Sequence, residues 1–520
     1  MTQAAASDAP IWARNLPMAS LAIWPLAAGL GAIEALAAAP LHLPMALPIA
    51  FGGLFLLLDQ TRSLRRAFML GWLFGAGSFL VGLSWITEAF AVDAARFGAL
   101  AWPALLLLAA GLGLFPALSL VTARAFAGQR GRPSLAIALI ASWSAGEWLR
   151  GTILTGFPWN IAGYSLGASD ALLQVTALVG IYGAGLFAVA VAVLPALAFS
   201  EGRMWPLVLA VLLLVGAWCY GAQRLSEAPP GALAGVRLRI VQPNIPQQLK
   251  WADAEREGIV ARLLYLSGQY VEGAAPPTHI IWPESAVPFL IADAPSVRAR
   301  LASILPPGGM LLTGAVRRTF THDSQAALLN SIVAIDARGE ITSAYDKVRL
   351  VPFGEYRPFR RILVAFPKLT VGEIDFIPGK MRGVLAVAGL PPAWPLVCYE
   401  AIFPTTLPAA APAPAWILTV TNDAWFGTSW GPHQHALSAR VRSIELGLPL
   451  VRAANSGISM VTDAYGRELA RLPLSGAGVL DLGLPGHLAD RTIYARWGEV
   501  PFAFVLILLT AAALLIRERR

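Results

Sequence analysis

Charge is spread so unevenly along this chain that two solvents are needed to account for it. Of 70 charged side chains in 520 residues, 18 fall in residues 1–220, which hold no lysine, 48 in 221–500 and 4 in the last twenty. Charged residues are 13% and hydrophobic residues 56% of the chain, against about 25% charged in an ordinary soluble protein. That excludes a wholly water-soluble globule and divides the chain into a bilayer half and a water-facing half. The formal charge of +8 would suit nucleic acid only if the arginines formed a stripe interleaved with stacking aromatics. They collect instead at the edges of apolar runs. Two cysteines, Cys219 and Cys398, are too few for a disulfide scaffold.

A helix needs about 20 apolar residues to cross a bilayer of roughly 30 Å. Seven stretches before residue 221 qualify or nearly so, at 18–36, 42–58, 68–90, 99–122, 134–150, 171–199 and 204–221, and an eighth at 501–516 precedes Arg517-Glu518-Arg519-Arg520. The first could be a signal peptide, with Arg14 ahead of it and small residues at 37–39, but the equally apolar segments that follow need a first span to orient them. Alternate loops hold Arg14, Arg62, Arg65, Arg66, Arg124, Arg130, Arg132, Arg203, Arg517, Arg519 and Arg520, while the other short loops hold only Arg96 and Arg150. By the positive-inside rule both termini are cytoplasmic and the large polar domain lies on the opposite side. Glu34, Glu88 and Glu147 fall in or near these spans, where a carboxylate is either functional or neutralised in helix contacts. Gly71 and Gly75 give a spacing suited to close helix packing. The aromatics of Gly156-Phe157-Pro158-Trp159-Asn160 anchor at the interface or line a site facing the outer domain.

From residue 236 short β-branched runs alternate with turn signals, the texture of an α/β domain. Strands are expected at 236–241, 279–282, 310–317, 331–336, 396–399, 416–421 and 457–463, and helices at 252–271 and 435–446. Cys398 ends an apolar strand in Pro395-Leu-Val-Cys-Tyr-Glu400; such a thiol is a small buried hydrophobe or an activated nucleophile. A nucleophile needs a base and an oxyanion donor. Glu284 ends a strand in the same way in His279-Ile-Ile-Trp-Pro-Glu-Ser285. So does Lys347, in Tyr345-Asp-Lys-Val-Arg-Leu-Val-Pro-Phe-Gly-Glu-Tyr356. Lysine is rare, only Lys250, Lys347, Lys368 and Lys380 among 39 basic residues, so one amid apolar residues points to a compact point charge rather than a solvated surface. Gly-x-Ser-x-Gly occurs as Gly163-Tyr-Ser-Leu-Gly167 and Gly427-Thr-Ser-Trp-Gly431, but neither stands between a strand and a helix. His433 and His435 lack a third ligand at metal spacing and more naturally begin a helix.

Glu284 in Trp-Pro-Glu, Lys347 in Asp-Lys-x-x-Leu-Val-Pro-Phe-Gly-Glu-Tyr and Cys398 in Cys-Tyr-Glu resemble the Glu-Lys-Cys triad of the nitrilase superfamily. Set between seven spans and one, the chain is similar over its whole length to the membrane-embedded branch, the bacterial apolipoprotein N-acyltransferases. Val241-Gln-Pro-Asn-Ile-Pro246 with Trp251, Asn330-Ser331, Asn422-Asp423-Ala-Trp-Phe426 and Arg452-Ala-Ala-Asn-Ser-Gly-Ile458 agree. The resemblance implies an eight-helix membrane domain joined to an αββα sandwich. Residues 1–222 would hold seven helices, 223–498 the periplasmic catalytic domain, and 499–520 the eighth helix and a cytoplasmic basic tail, all in the inner membrane. It implies acyl transfer from a phospholipid, phosphatidylethanolamine being the expected donor, to the α-amine of a diacylglyceryl-cysteine apolipoprotein, through a Cys398 thioester and without cofactor, metal or nucleic acid. Glu284 would be the base and Lys347 the oxyanion donor. Glu355, Glu400, Tyr399 and Asn330 would support them, and Trp251 and Trp425 would border the substrate. Arg357-Pro-Phe-Arg-Arg-Ile-Leu-Val-Ala-Phe-Pro-Lys368 reads as a lid touching headgroups or as an ordinary surface loop. Two rivals are a membrane-anchored hydrolase of small amides using the same three residues, and a transporter with Glu34, Glu88 and Glu147 along its path.

Overall fold

The computed structural model describes residues 22–270, 275–320, 324–358, 374–380, 383–407 and 412–516. Arg14, the start of the first expected span, most of the 357–368 stretch and the basic tail lie outside the described residues. The first half is helical: α1 (Ile23–Ala35), α2 (Ala46–Asp59), α3 (Leu64–Gly82), α4 (Ala101–Leu112), α5 (Leu114–Ala127), α6 (Arg132–Thr152), α7 (Thr176–Glu201) and α8 (Trp205–Ser226). Among the described residues, three helices are long and apolar enough to cross a membrane: Ala94–Ala127, which runs through α4 and α5, then α7 and α8. The stretches at 23–35 and 46–59 are apolar but shorter. The expected span at 68–90 is broken, since α3 ends at Gly82 and a short helix follows at Ile86–Ala91. On α8, Val208, Val211, Leu212, Val215 and Trp218 are all at least half exposed. A row of bare apolar side chains along one face is stable against lipid and not against water.

Small residues let the helices touch. A β-carbon on Gly71 would stand 2.5 Å from the Pro116 carbonyl oxygen, and one on Gly75 would stand 2.7 Å from the Pro116 ring, so this face of α3 lies directly on α5. Three buried charged residues of the bundle make hydrogen bonds within it. Ser78 donates to the Glu34 carboxylate, and Glu147 accepts from the Ala162 N–H at 2.8 Å. Arg150 donates to the carbonyls of Phe157 and Trp159 at 2.6 and 2.7 Å, which ties down the loop between α6 and α7. Glu88 is exposed.

The second half is a two-sheet sandwich. Strands β1 (Arg237–Gln242), β2 (His279–Ile281), β3 (Met310–Phe320), β4 (Ala326–Asp336) and β5 (Ile341–Asp346) form one sheet with β11 (Gly478–Gly483), in the order β11-β1-β2-β3-β4-β5. The other runs β10 (Glu468–Arg471), β9 (Met460–Thr462), β8 (Leu450–Ala454), β7 (Trp416–Thr421), β6 (Ala393–Val397). Period-2 alternation builds the layers. On β7, Trp416, Leu418 and Val420 point between the sheets while Ile417 points outward. Helices α9 (Arg256–Ser267) and α10 (Pro295–Ala302) cover the first sheet, and α11 (Gly431–Leu446) covers the second. The opposite face of α11, with Leu437, Val441 and Ile444, enters the core of the helical half. Helix α12 (Val500–Leu515) returns to the bundle, where its Ala513 carbonyl accepts from Ser134 at 2.7 Å.

Gly71→Ala should lower the melting temperature in detergent, since overpacking against backbone costs about 1–3 kcal/mol. Gly29→Ala, which meets nothing within 4 Å, should leave it unchanged or raise it. Equal melting of Gly71→Ala and wild type would refute the close contact.

Candidate active site

Three chain reversals bring the expected residues together. Strand β6 ends at Val397, and Cys398 opens the 3-10 turn Cys398–Ile402 with φ +49, a backbone region that residues other than glycine seldom occupy. Glu284 follows β2 beyond Pro283, in a turn whose next residue, Ser285, has φ +45. Lys347 directly follows β5. All three side chains are buried. Lys347 Nζ lies 3.6 Å from Glu284 Oε1 and 3.0 Å from Glu355. The Asn330 amide donates to both carboxylates, at 2.7 Å to Glu284 and 2.8 Å to Glu355. One ammonium and one amide thus bridge two buried carboxylates.

Charge inside this enclosure is balanced locally. Burial pushes the Lys347 ammonium towards losing its proton, but the carboxylates of Glu355 and Glu284 outweigh it and hold its pKa above the usual lysine range. Burial, with the Glu284 carboxylate, pushes the Cys398 thiol well up, and Lys347 opposes this only in part. The resting sulfur is therefore a thiol, and a thiolate forms only when a neighbour takes its proton.

The supporting residues divide by what they touch. Glu400, fully buried, accepts from the Tyr345 hydroxyl at 3.0 Å and from the N–H groups of Val348, Arg349 and Val397 at 2.9, 3.2 and 2.9 Å. It fastens the segment after Lys347 to the turn carrying Cys398. Tyr399 donates to the Gly156 carbonyl at 3.1 Å, joining that turn to the loop between α6 and α7. In the same loop Trp159 donates to Gln434 at 2.7 Å and lies 5.7 Å from the His435 ring, so the loop faces the catalytic domain. Trp251 and Trp425 are half-buried; they follow, by one and two residues, the buried Lys250 and Asp423.

Sequence reasoning passed over Lys250. Its ammonium is buried and donates to the Glu284 carbonyl at 3.0 Å, and burial lowers its pKa to about 8 against the pull of Glu284 and Cys398. The scarcity of lysine, which pointed to Lys347, pointed equally to this residue. His435 is placed inside α11, with Nδ1 2.8 Å from Asp423 and Nε2 3.0 Å from the Cys398 carbonyl. Cys398, Asp423 and His435 offer donor atoms within 4.8 Å of one another. Both imidazole nitrogens and both Asp423 oxygens are already engaged by the protein, the latter by Thr421, His435 and the Arg452 guanidinium. Burial favours a neutral Asp423, but Arg452 and His435 outweigh it and hold the carboxyl well below its usual range. That arrangement suits a structural ion pair better than a metal ion. Ser165 lies in the 3-10 turn Ala162–Ala168, and Ser429 precedes α11; neither sits on a strand-to-helix elbow.

The sandwich coincides with residues 237–492, which the family model of the carbon-nitrogen hydrolases matches. The model of the apolipoprotein N-acyltransferase N-terminal domain matches residues 30–194. The apolipoprotein N-acyltransferase of Rhodopseudomonas palustris is 42% identical, over 94% of this chain and 94% of its own. That of Bradyrhizobium diazoefficiens is 40% identical, over 94% and 93%. Among solved structures, an amidase from Nesterenkonia sp. AN1 aligns with 54% of this chain and 99% of its own, at 20% identity and TM-score 0.36. The chain belongs to the apolipoprotein N-acyltransferase family.

Glu400→Gln replaces an acceptor by an N–H₂ facing four donors, so at least one buried N–H or O–H loses its partner. The expected cost is about 1–3 kcal/mol, read as a lower melting temperature together with slower alkylation of Cys398. Loss of neither would remove Glu400 from its fastening role.

Proposed function

We propose that this protein transfers a fatty acyl chain from a phospholipid to the N-terminal α-amine of a diacylglyceryl-cysteine apolipoprotein, with Cys398 as the acyl carrier. What supports the reading is the buried grouping of Glu284, Lys347 and Cys398 in a chain whose other half is lipid-facing helix. Each step is assigned to one of these residues. Glu284 accepts the thiol proton, and the sulfur attacks the ester carbonyl. The oxygen of the tetrahedral intermediate takes its negative charge beside the Lys347 ammonium, already ordered by Glu355 at 3.0 Å. Collapse breaks the carbon–oxygen bond, the lysophospholipid leaves with the proton from Glu284, and a thioester remains. The α-amine then attacks the thioester, Glu284 accepts its proton, and the carbon–sulfur bond breaks to regenerate the thiol. Two substrates visiting one sulfur in turn give ping-pong kinetics.

The same reading extends to topology. Eight spans, with residues 1–222 and 499–520 in the inner membrane and 223–498 in the periplasm, keep both termini cytoplasmic and set the sulfur at the outer leaflet, where both acyl substrates lie. The arginine asymmetry supports that orientation. A soluble hydrolase domain would have to extract each lipid. Glu34 and Glu147, paired inside the bundle, act in helix contacts rather than along a transport path. Phosphatidylethanolamine is the expected donor, and Trp251 and Trp425 border the acyl site.

Intact mass spectrometry of the purified protein with phosphatidylethanolamine should reveal a hydroxylamine-labile acyl adduct. The adduct should be absent in Cys398→Ala and discharged by a diacylglyceryl peptide. A folded protein without adduct that hydrolyses small amides would instead establish the hydrolase reading. Cys398→Ser should stay folded and form no thioester. Lys347→Arg should lose activity, because a planar fork cannot replace a point charge between two carboxylates; wild-type turnover in that variant would remove Lys347 from the oxyanion role.

A further inference from the structure

We infer that His435 is a positioning residue for acyl transfer. By holding the Cys398 carbonyl it aims the Tyr399 N–H at the oxyanion, as second donor to Lys347. The inference rests on Cys398 being the acyl carrier. With φ +49, Cys398 keeps its conformation only while its surroundings impose it. Its carbonyl oxygen, which can only accept, stands 3.0 Å from His435 Nε2, so that nitrogen carries the hydrogen. Behind the ring, Nδ1 faces Asp423 Oδ1 at 2.8 Å, with Arg452 Nη2 3.3 Å from the same nitrogen. Asp423 is itself held by Thr421 at 2.7 Å and by Arg452 at 2.6 Å. Arg452, Asp423 and His435 are fully buried. Such a clamped imidazole fixes the plane of the Cys398–Tyr399 peptide.

A trans peptide carries its C=O and the next N–H on opposite sides of one plane. Pulling the oxygen towards α11 therefore turns the Tyr399 N–H away from α11. Tyr399 lies in the first turn of the 3-10 helix Cys398–Ile402, where N–H groups have no acceptor within the helix. The same pull polarises the peptide, strengthening that N–H as a donor. Nothing here requires His435 to touch substrate.

Two reactions of one sulfur separate this role from a merely structural one. Acyl transfer generates an oxyanion, whereas alkylation by iodoacetamide forms a carbon–sulfur bond as iodide leaves and generates none. His435→Phe keeps a ring without a donor, and His435→Gln restores one N–H. In the full-length protein in detergent with phosphatidylethanolamine, His435→Phe should slow acylation of Cys398 about 100-fold, the loss expected on disabling one oxyanion donor, with alkylation little changed. His435→Gln should recover part of that loss. Equal slowing of both reactions, or native acylation in His435→Phe, would overturn the inference. Should His435→Phe melt early, His435→Gln decides by the same ratio: acylation slowed more than alkylation supports the role, an unchanged ratio overturns it. A wild-type protein that is alkylated on Cys398 but never acylated would overturn the acyl-carrier reading itself, and this inference with it.

Discussion

Everything near the sulfur depends on a cation that water cannot reach. A buried ion costs several kcal/mol unless partners in good geometry replace its hydration shell. Lys347 is 1% exposed, so its charge rests on the neighbouring carboxylates of Glu355 and Glu284 staying where they are. Asn330 can bridge them because it brings two N–H donors on one planar group. Removing any one of these leaves a charge or a donor stranded in low dielectric. Order in the site is thus enforced by electrostatics as much as by packing, and the thiol enters that field already protonated.

The catalytic and membrane halves are fastened by paired polar contacts as well as by apolar area. Helix α7 departs from helical geometry at Gly180, with φ +66 and ψ −177. The Ile181 N–H freed there donates to Glu445 of α11 at 2.8 Å. A β-carbon at Gly180 would strike the Tyr494 ring at 2.3 Å, so only glycine fits. Glu445 is in turn paired with Arg442 on the same helix. Nearer the site, Tyr399 reaches the Gly156 carbonyl and Trp159 reaches Gln434. Movement of the loop between α6 and α7 is therefore felt directly beside Cys398.

What could be read from the sequence followed a local grammar. Cys398 and Glu284 each follow an apolar run, so their neighbours announce a strand end and an emerging side chain, whereas Lys347 stood out as a rare lysine ahead of Val348, Leu350 and Val351. Strand β7 was legible because both its faces are buried, giving an unbroken apolar run. Strand β5 was not, since its burial alternates along a polar edge, and Arg452 in the middle of β8 disguised a fully buried strand. That arginine is tolerated only because Asp423, 29 positions away, neutralises it. His435 and Lys250 escaped for the same reason: their roles arise from contacts between elements that no spacing along the chain encodes. Glu88 drew attention by sitting near a span, yet its own side chain is exposed on the short helix Ile86–Ala91.

Helix α11 is buried along almost its whole surface, with only His433 and Arg440 partly exposed. One side lies on the sandwich, and the other, with Leu437, Val441 and Ile444, is core to the helical half. Between them run Arg442 and Glu445, both fully buried. Cutting the chain after α8 to obtain a soluble enzyme would strip an apolar surface and an ion pair bare at once. The helical half thus serves as part of the catalytic domain's interior, and the usual modular view of an anchored enzyme, a portable head on a replaceable stalk, does not apply.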